Sequence, residues 1–193
     1  MKRNTRWPMS LAFALVLGTV ACHNALAQKV KLATSMGDVV IQLDADKAPK
    51  TVANFVQYVK DGHYDGLIFH RVIATFMIQG GGYNADMNEK PTRPPIPLES
   101  RSGLSNQRGT IAMARTGVPD SATSQFFINV VDNQRLDAAN APDGNGYAVF
   151  GKVVSGMDVV DKIRDVPVGS KAGHQNVPQQ PVVSRKATLE STK

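Results

Sequence analysis

The strongest constraint on this chain is how its apolar residues are parcelled, in short runs of β period that Gly and Pro keep cutting. Val30, Leu32 and Thr34 alternate with Lys29, Lys31 and Ala33. After Ser35-Met36-Gly37, Val39, Ile41 and Leu43 alternate with Asp38, Val40 and Gln42. A period of two puts each set on one side of a strand, so the spacing predicts a β-hairpin with one buried face. Further β-type stretches recur at 67–79, 110–113, 126–131, 147–154 and 182–189, and 83–109 is a loop region holding Pro91, Pro94, Pro95 and Pro97. Only two segments change period. Val52, Phe55, Val56 and Val59 recur at three and four residues, with Pro49 suited to a first turn and Gly62 to an exit. A second helix is predicted from Ser155-Gly156 onward, burying Val159, Val160 and Ile163. Short strands, two helices and no linker or internal repeat predict a mainly β single domain built on a closed or nearly closed antiparallel sheet.

The first 27 residues read differently. Lys2, Arg3 and Arg6 precede an uncharged apolar run over 11–20, and Ala25-Leu26-Ala27 offers small residues where a signal peptidase reads them. Residues 1–27 are therefore predicted to be a secretory signal and 28–193 the mature domain. Two other readings stay open. An uncleaved anchor would need ~20 apolar residues, more than this run holds. Val20-Ala21-Cys22 looks partly like a lipoprotein processing site anchored at Cys22, although Thr19 stands where such a site has a large aliphatic residue. The formal net charge of +6 falls to +3 without the segment, because it carries three basic residues and no acidic one. No basic stripe with interleaved aromatics remains, so a nucleic-acid partner is not indicated. Cys22 is the only cysteine, so the mature chain has no disulfide and must rely on its core. With no heptad pattern or long exposed apolar run, a monomer without stable membrane association is expected.

Two runs carry the chemistry. Phe69-His70-Arg71-Val72-Ile73-Ala74-Thr75-Phe76-Met77-Ile78-Gln79-Gly80-Gly81 sets one guanidinium and one amide among aromatic and aliphatic residues. Ser124-Gln125-Phe126-Phe127-Ile128-Asn129 follows about fifty positions on. Together they resemble the two signature segments of the cyclophilin-type peptidylprolyl isomerases, and the similarity spans 29–188. Tyr147 and the 83–100 loop resemble the bacterial exported branch. The resemblance implies an eight-stranded antiparallel closed β-barrel capped by two α-helices. It also implies cis–trans isomerisation of Xaa-Pro bonds during folding of exported proteins, in the periplasm, without metal or cofactor. The partners would be proline-containing unfolded or flexible polypeptides.

Rotation about a peptide bond is resisted by a barrier of ~18–20 kcal/mol, because nitrogen shares its lone pair with the carbonyl. A catalyst must favour the twisted state, in which that lone pair can accept a hydrogen bond. A fixed cation with directed N–H groups does this, and Arg71 is the candidate. The resemblance assigns Arg71 the catalytic role and Gln79 the task of buttressing it. It puts Phe76, Met77, Phe127 and Leu136 around the proline ring, and has Gln125 bond the substrate backbone. Ala114 and Arg115 would run beside the peptide through main-chain hydrogen bonds. Strand alternation agrees on one point, turning Phe126 into the core and Phe127 toward the groove. There are departures: Arg135 occupies the family's tryptophan position, Tyr147 stands where a histidine is frequent, and Ala74-Thr75 replaces Pro-Gly.

Other chemistries fit poorly. His63, His70 and His174 lack ligand spacing, and His23 leaves with the signal. Gly80-Gly81-Gly82 lacks the Lys-Ser/Thr of a phosphate loop, and Ser124 lacks a glycine elbow. The rival class is a proline-peptide binding module or holdase chaperone, which would need the apolar slot but not Arg71. N-terminal sequencing of the protein from an osmotic-shock fraction is expected to start at Gln28. A lipid-modified start at Cys22, pelleting with membranes, would overturn the signal-peptide reading.

Overall fold

The computed structural model describes residues 28–190; the expected signal segment lies outside them. Strands β1 (Lys29–Thr34) and β2 (Gly37–Leu43) form the predicted hairpin, pairing Val30 with Ile41 and Leu32 with Val39, all of them fully buried. Helix α1 (Pro49–Lys60) follows, with proline in its first turn and Val52, Phe55, Val56 and Val59 buried. Next come β3 (Phe69–Ile73), β4 (Met77–Gly80), β5 (Thr110–Met113), β6 (Phe126–Asn129) and β7 (Val149–Ser155). Helix α2 (Met157–Arg164) buries Val159, Val160 and Ile163, and β8 (Val168–Lys171), β9 (His174–Pro178) and β10 (Ser184–Glu190) complete the order.

Eight of these strands make one antiparallel sheet in the order β10-β1-β2-β7-β5-β6-β4-β3. The sheet curls around a core in which the Phe55 ring meets Tyr64, Phe126 and Phe150 at 5.1–5.6 Å between centroids. Closure is slighter than the expected closed barrel. The two outermost strands share no ladder, only the bridge Ile68↔Val183. Beside it, the Phe69 N–H donates to Val182 O at 3.0 Å and the Ser184 N–H to Leu67 O at 2.7 Å. These bonds form where β3 and β10 begin; beyond them β10 continues along β1 and β3 along β4. The β8–β9 hairpin was not expected, because it buries only the adjacent Val177 and Pro178 and leaves no alternating apolar signal.

The loop before β5 is fastened to α1. The residue preceding that helix is Ala48, whose side chain cannot cap it. Glu99 supplies the missing acceptor from the loop: its carboxylate receives the Lys50 N–H at 3.1 Å, the Thr51 N–H at 2.8 Å and the Thr51 hydroxyl at 2.7 Å. A carboxylate there satisfies orphan amides and meets the positive end of the helix dipole. Glu99→Ala is expected to cost about 1 kcal/mol, lowering Tm by about 2–4 °C in thermal unfolding, and Glu99→Gln less. An unchanged Tm in Glu99→Ala would show that water serves the helix end equally well.

Candidate active site

The sheet's outer face carries a second apolar cluster. On β6, Phe126 and Ile128 join the main core while Phe127 points the other way; on β5, Ile111 and Met113 go inward and Ala112 outward. Met77 of β4, Ala112, Phe127 and Val149 of β7 thus form a buried floor. Phe76, Leu136 and Tyr147 pack around it, with Tyr147 edge-on to Phe127 at 5.7 Å. The structure therefore brings together the five residues expected around a proline ring or beside it: Phe76, Met77, Phe127, Leu136 and Tyr147.

Arg71 reaches this face through an irregularity. Phe69 and Val72 both lie in the main core although they stand three positions apart, which strict alternation forbids. The ladder explains it: Phe69 pairs with Gly80 and Arg71 with Gln79, leaving His70 as the extra residue of a β-bulge. A bulge re-aims the side chains that flank it, and here it turns Arg71 outward beside Gln79. The Arg71 Nη1 donates to Gln79 Oε1 at 3.3 Å, and Gln79 Nε2 donates to Gln125 Oε1 at 3.0 Å. Gln125 Nε2 in turn donates to Glu89 Oε1 at 3.4 Å. Each amide accepts on the Arg71 side and donates on the other, so the line has one direction. It lies close over the backbone: a Cβ on Gly82 would fall 2.7 Å from the Gln125 amide. Gly81, at φ +87°, would likewise press 2.8 Å against Ser124 O.

Beneath the pocket runs a buried asparagine network that the residue patterns did not reveal. Asn133 Nδ2 donates to Phe76 O and to Asn129 Oδ1, both at 2.8 Å. Asn129 donates to Asn106 Oδ1 at 3.2 Å, and Asn106 to Asp137 Oδ1 at 2.9 Å. These bonds tie the Phe76 turn to the segment bearing Leu136. The one available signal was Asn129 itself, a polar residue closing an apolar strand, and buried asparagines are costly unless bonded.

At Ala114 and Arg115 the fold itself engages part of the hydrogen-bonding capacity. The Ala114 N–H is already committed to Gln125 O at 3.0 Å. The Arg115 side chain, 3% exposed, acts as a strut: its Nε donates to Gly146 O at 2.8 Å and its Nη1 to Thr116 O at 2.9 Å. It also pairs with Asp143 and lies over the Tyr147 ring, 4.7 Å from its centroid. The guanidinium, with the Asn145 and Gly146 amides, holds the Asp143 carboxyl down to about 2. Arg115 thereby fixes the loop that carries Tyr147.

His70, the bulge residue, is buried against Tyr83 at 4.7 Å, and Tyr83 meets His174 of β9 at 5.1 Å. Burial, reinforced by His174 and Arg71, lowers its pKa to about 4, so it is neutral at physiological pH. Its ordinary value is 6.5, so unfolding takes up a proton between the two values. This contribution to stability is complete above pH 6.5 and drains away as pH falls toward 4, by up to about 3 kcal/mol. In urea titrations at stepped pH, His70→Leu is expected to flatten that acid limb. An unchanged slope would place the titration elsewhere.

Known proteins resemble this chain in sequence and in fold. The family described as cyclophilin type peptidyl-prolyl cis-trans isomerase/CLD matches residues 29–188. A peptidyl-prolyl cis-trans isomerase of Streptomyces antibioticus is 56% identical over 161 residues, 83% of this chain and 97% of that one. Peptidyl-prolyl cis-trans isomerase B of Escherichia coli K12 is 53% identical over 157 residues, 81% and 96%. Among solved structures, a cyclophilin-type isomerase of Cryptosporidium parvum superposes with TM-score 0.70 at 25% identity, covering 86% of this chain and 99% of its own. The same protein has also been solved in the presence of the dipeptide Ala-Pro.

Proposed function

The chain belongs to the cyclophilin-type peptidyl-prolyl cis-trans isomerases, and we propose that it turns Xaa-Pro bonds in the outer-face pocket with Arg71 as the catalytic group. The proline ring would rest on Phe127 and Met77, bounded by Phe76 and Leu136. With the ring held there, rotation brings the nitrogen lone pair out of conjugation, and the Arg71 guanidinium donates to it. That bond exists only in the twisted state, so it lowers the barrier without tightening the ground state. Gln79 and Gln125 hold the guanidinium at a fixed angle, so no reorganisation accompanies the reaction. The single observation that carries this reading is the bulge-turned Arg71, locked to Gln79 at the edge of an otherwise apolar pocket.

The substrates, on this reading, are exported proteins. The basic start, apolar run and Ala-x-Ala of residues 1–27 support export, and in a two-membrane bacterium the periplasm. Chains arriving there unfolded carry ~10–30% cis at many Xaa-Pro bonds and exchange them slowly, which gives an isomerase work to do. The cysteine-free mature chain suits an oxidising compartment.

Arg71→Ala is expected to lower kcat/KM for a short Xaa-Pro peptide by roughly a hundredfold or more, the scale of removing one preorganised donor. Peptide affinity should change little, since the pocket is intact. Arg71→Lys should recover little, because a point charge cannot copy the planar fork. A protease-coupled assay with parallel binding titrations measures both quantities. Near-normal turnover in Arg71→Ala would overturn the assignment and favour a binding module.

A further inference from the structure

The pocket has two ends, set by the strands beneath it. On β4 and β6, Gly80 pairs with Phe126 at one end and Met77 with Asn129 at the other. Gln125 and Glu89 stand beyond the first end, linked at 3.4 Å. Phe76 and Arg135 stand beyond the second, where the Arg135 guanidinium lies 4.7 Å from the Phe76 ring centroid. Arg71 approaches the same ring at 6.0 Å. Glu89 and Arg135 are both exposed, and neither forms an ion pair among the described residues. Other charged side chains nearby point their hydrogen bonds elsewhere. Lys90 turns its ammonium to the His63 carbonyl at 2.7 Å, and Arg115 is paired with Asp143. Asp132 accepts the Arg108 N–H at 2.8 Å, while Asp137 is held by Ser105 and Asn106. Glu89 therefore sets a carboxylate at one end of the groove and Arg135 a guanidinium at the other, with the Arg71 guanidinium between them.

Resting on the isomerase reading above, we infer that Glu89 and Arg135 sort substrates by the charges flanking the proline. An extended segment advances ~3.4 Å per residue, so side chains within about three positions of a seated proline reach both ends. The favoured segment carries a basic residue on the Gln125 side and an acidic residue on the Phe76 side. The reversed segment meets like charge at both ends. Because the backbone passes through the site in one direction, the two charge orders are not equivalent.

Three synthetic peptides test this: one neutral around its Ala-Pro, one with Lys before and Glu after, and one with that order reversed. NMR exchange spectroscopy gives turnover, and fluorescence anisotropy gives affinity, at low and high salt. One charged order is expected to exceed the other about three- to tenfold in kcat/KM at low salt, with the gap closing as salt screens it. The ratio between orders should invert in Glu89→Lys/Arg135→Glu and shrink in Glu89→Gln or Arg135→Gln. Equal handling of the two orders at low salt would overturn the inference, as would a preference that survives the double reversal. If the neutral peptide is not turned over, the isomerase reading falls, and the affinities of the two charged orders still decide the charge preference.

Discussion

A strand sends alternate side chains to opposite faces, and β3 has to serve two faces out of step. Phe69 and Val72 are needed in the core while Arg71 is needed outside, a demand that a regular ladder cannot meet. One inserted residue resolves it, and everything at the site depends on that insertion. Without the bulge, either the core would lose Phe69, or it would lose Val72 and take in the guanidinium, where an unpaired charge is prohibitively unfavourable. The extra residue is itself buried, and a neutral imidazole set edge-on to Tyr83 is a form of histidine that tolerates the position.

Two kinds of support surround the exposed chemistry. The apolar floor is rigid because it is the reverse side of the core strands: Phe127 cannot move without Phe126 and Ile128. The rim is held by polar bonds instead. Asn133 grips the Phe76 carbonyl, and Arg115 grips the turn before Tyr147. A buried polar network of this kind is unforgiving, since losing one member leaves its neighbours unsatisfied in a low-dielectric setting. The pocket therefore owes its shape to residues that never face it.

Periodicity made much of this legible. The β1–β2 hairpin, both helices and the opposite facing of Phe126 and Phe127 follow from spacing alone, and all appear as read. The resemblance brought Arg71, Gln79 and Gln125 together by position, and the structure brings them within hydrogen-bonding distance. What escaped was non-local. A bulge leaves no mark in composition, and the strut role of Arg115 depends on a loop about thirty residues away. The β8–β9 hairpin buries only Val177 and Pro178, which are adjacent, so it lacks the alternation by which strands are recognised. The narrow seam between β3 and β10 likewise depends on chain ends meeting across the whole domain.

The Glu99 cap has a kinetic side. The first turn of α1 waits for an acceptor that lies 48 residues further along the chain. During synthesis the helix therefore emerges with its amides unanswered, and short helices without such help are marginal. Its ordering must coincide with docking of the long loop, a contact of high sequence separation that slows folding. The same loop carries Glu89 to the groove. Helix, loop and one end of the groove should thus consolidate as one cooperative event, late and together.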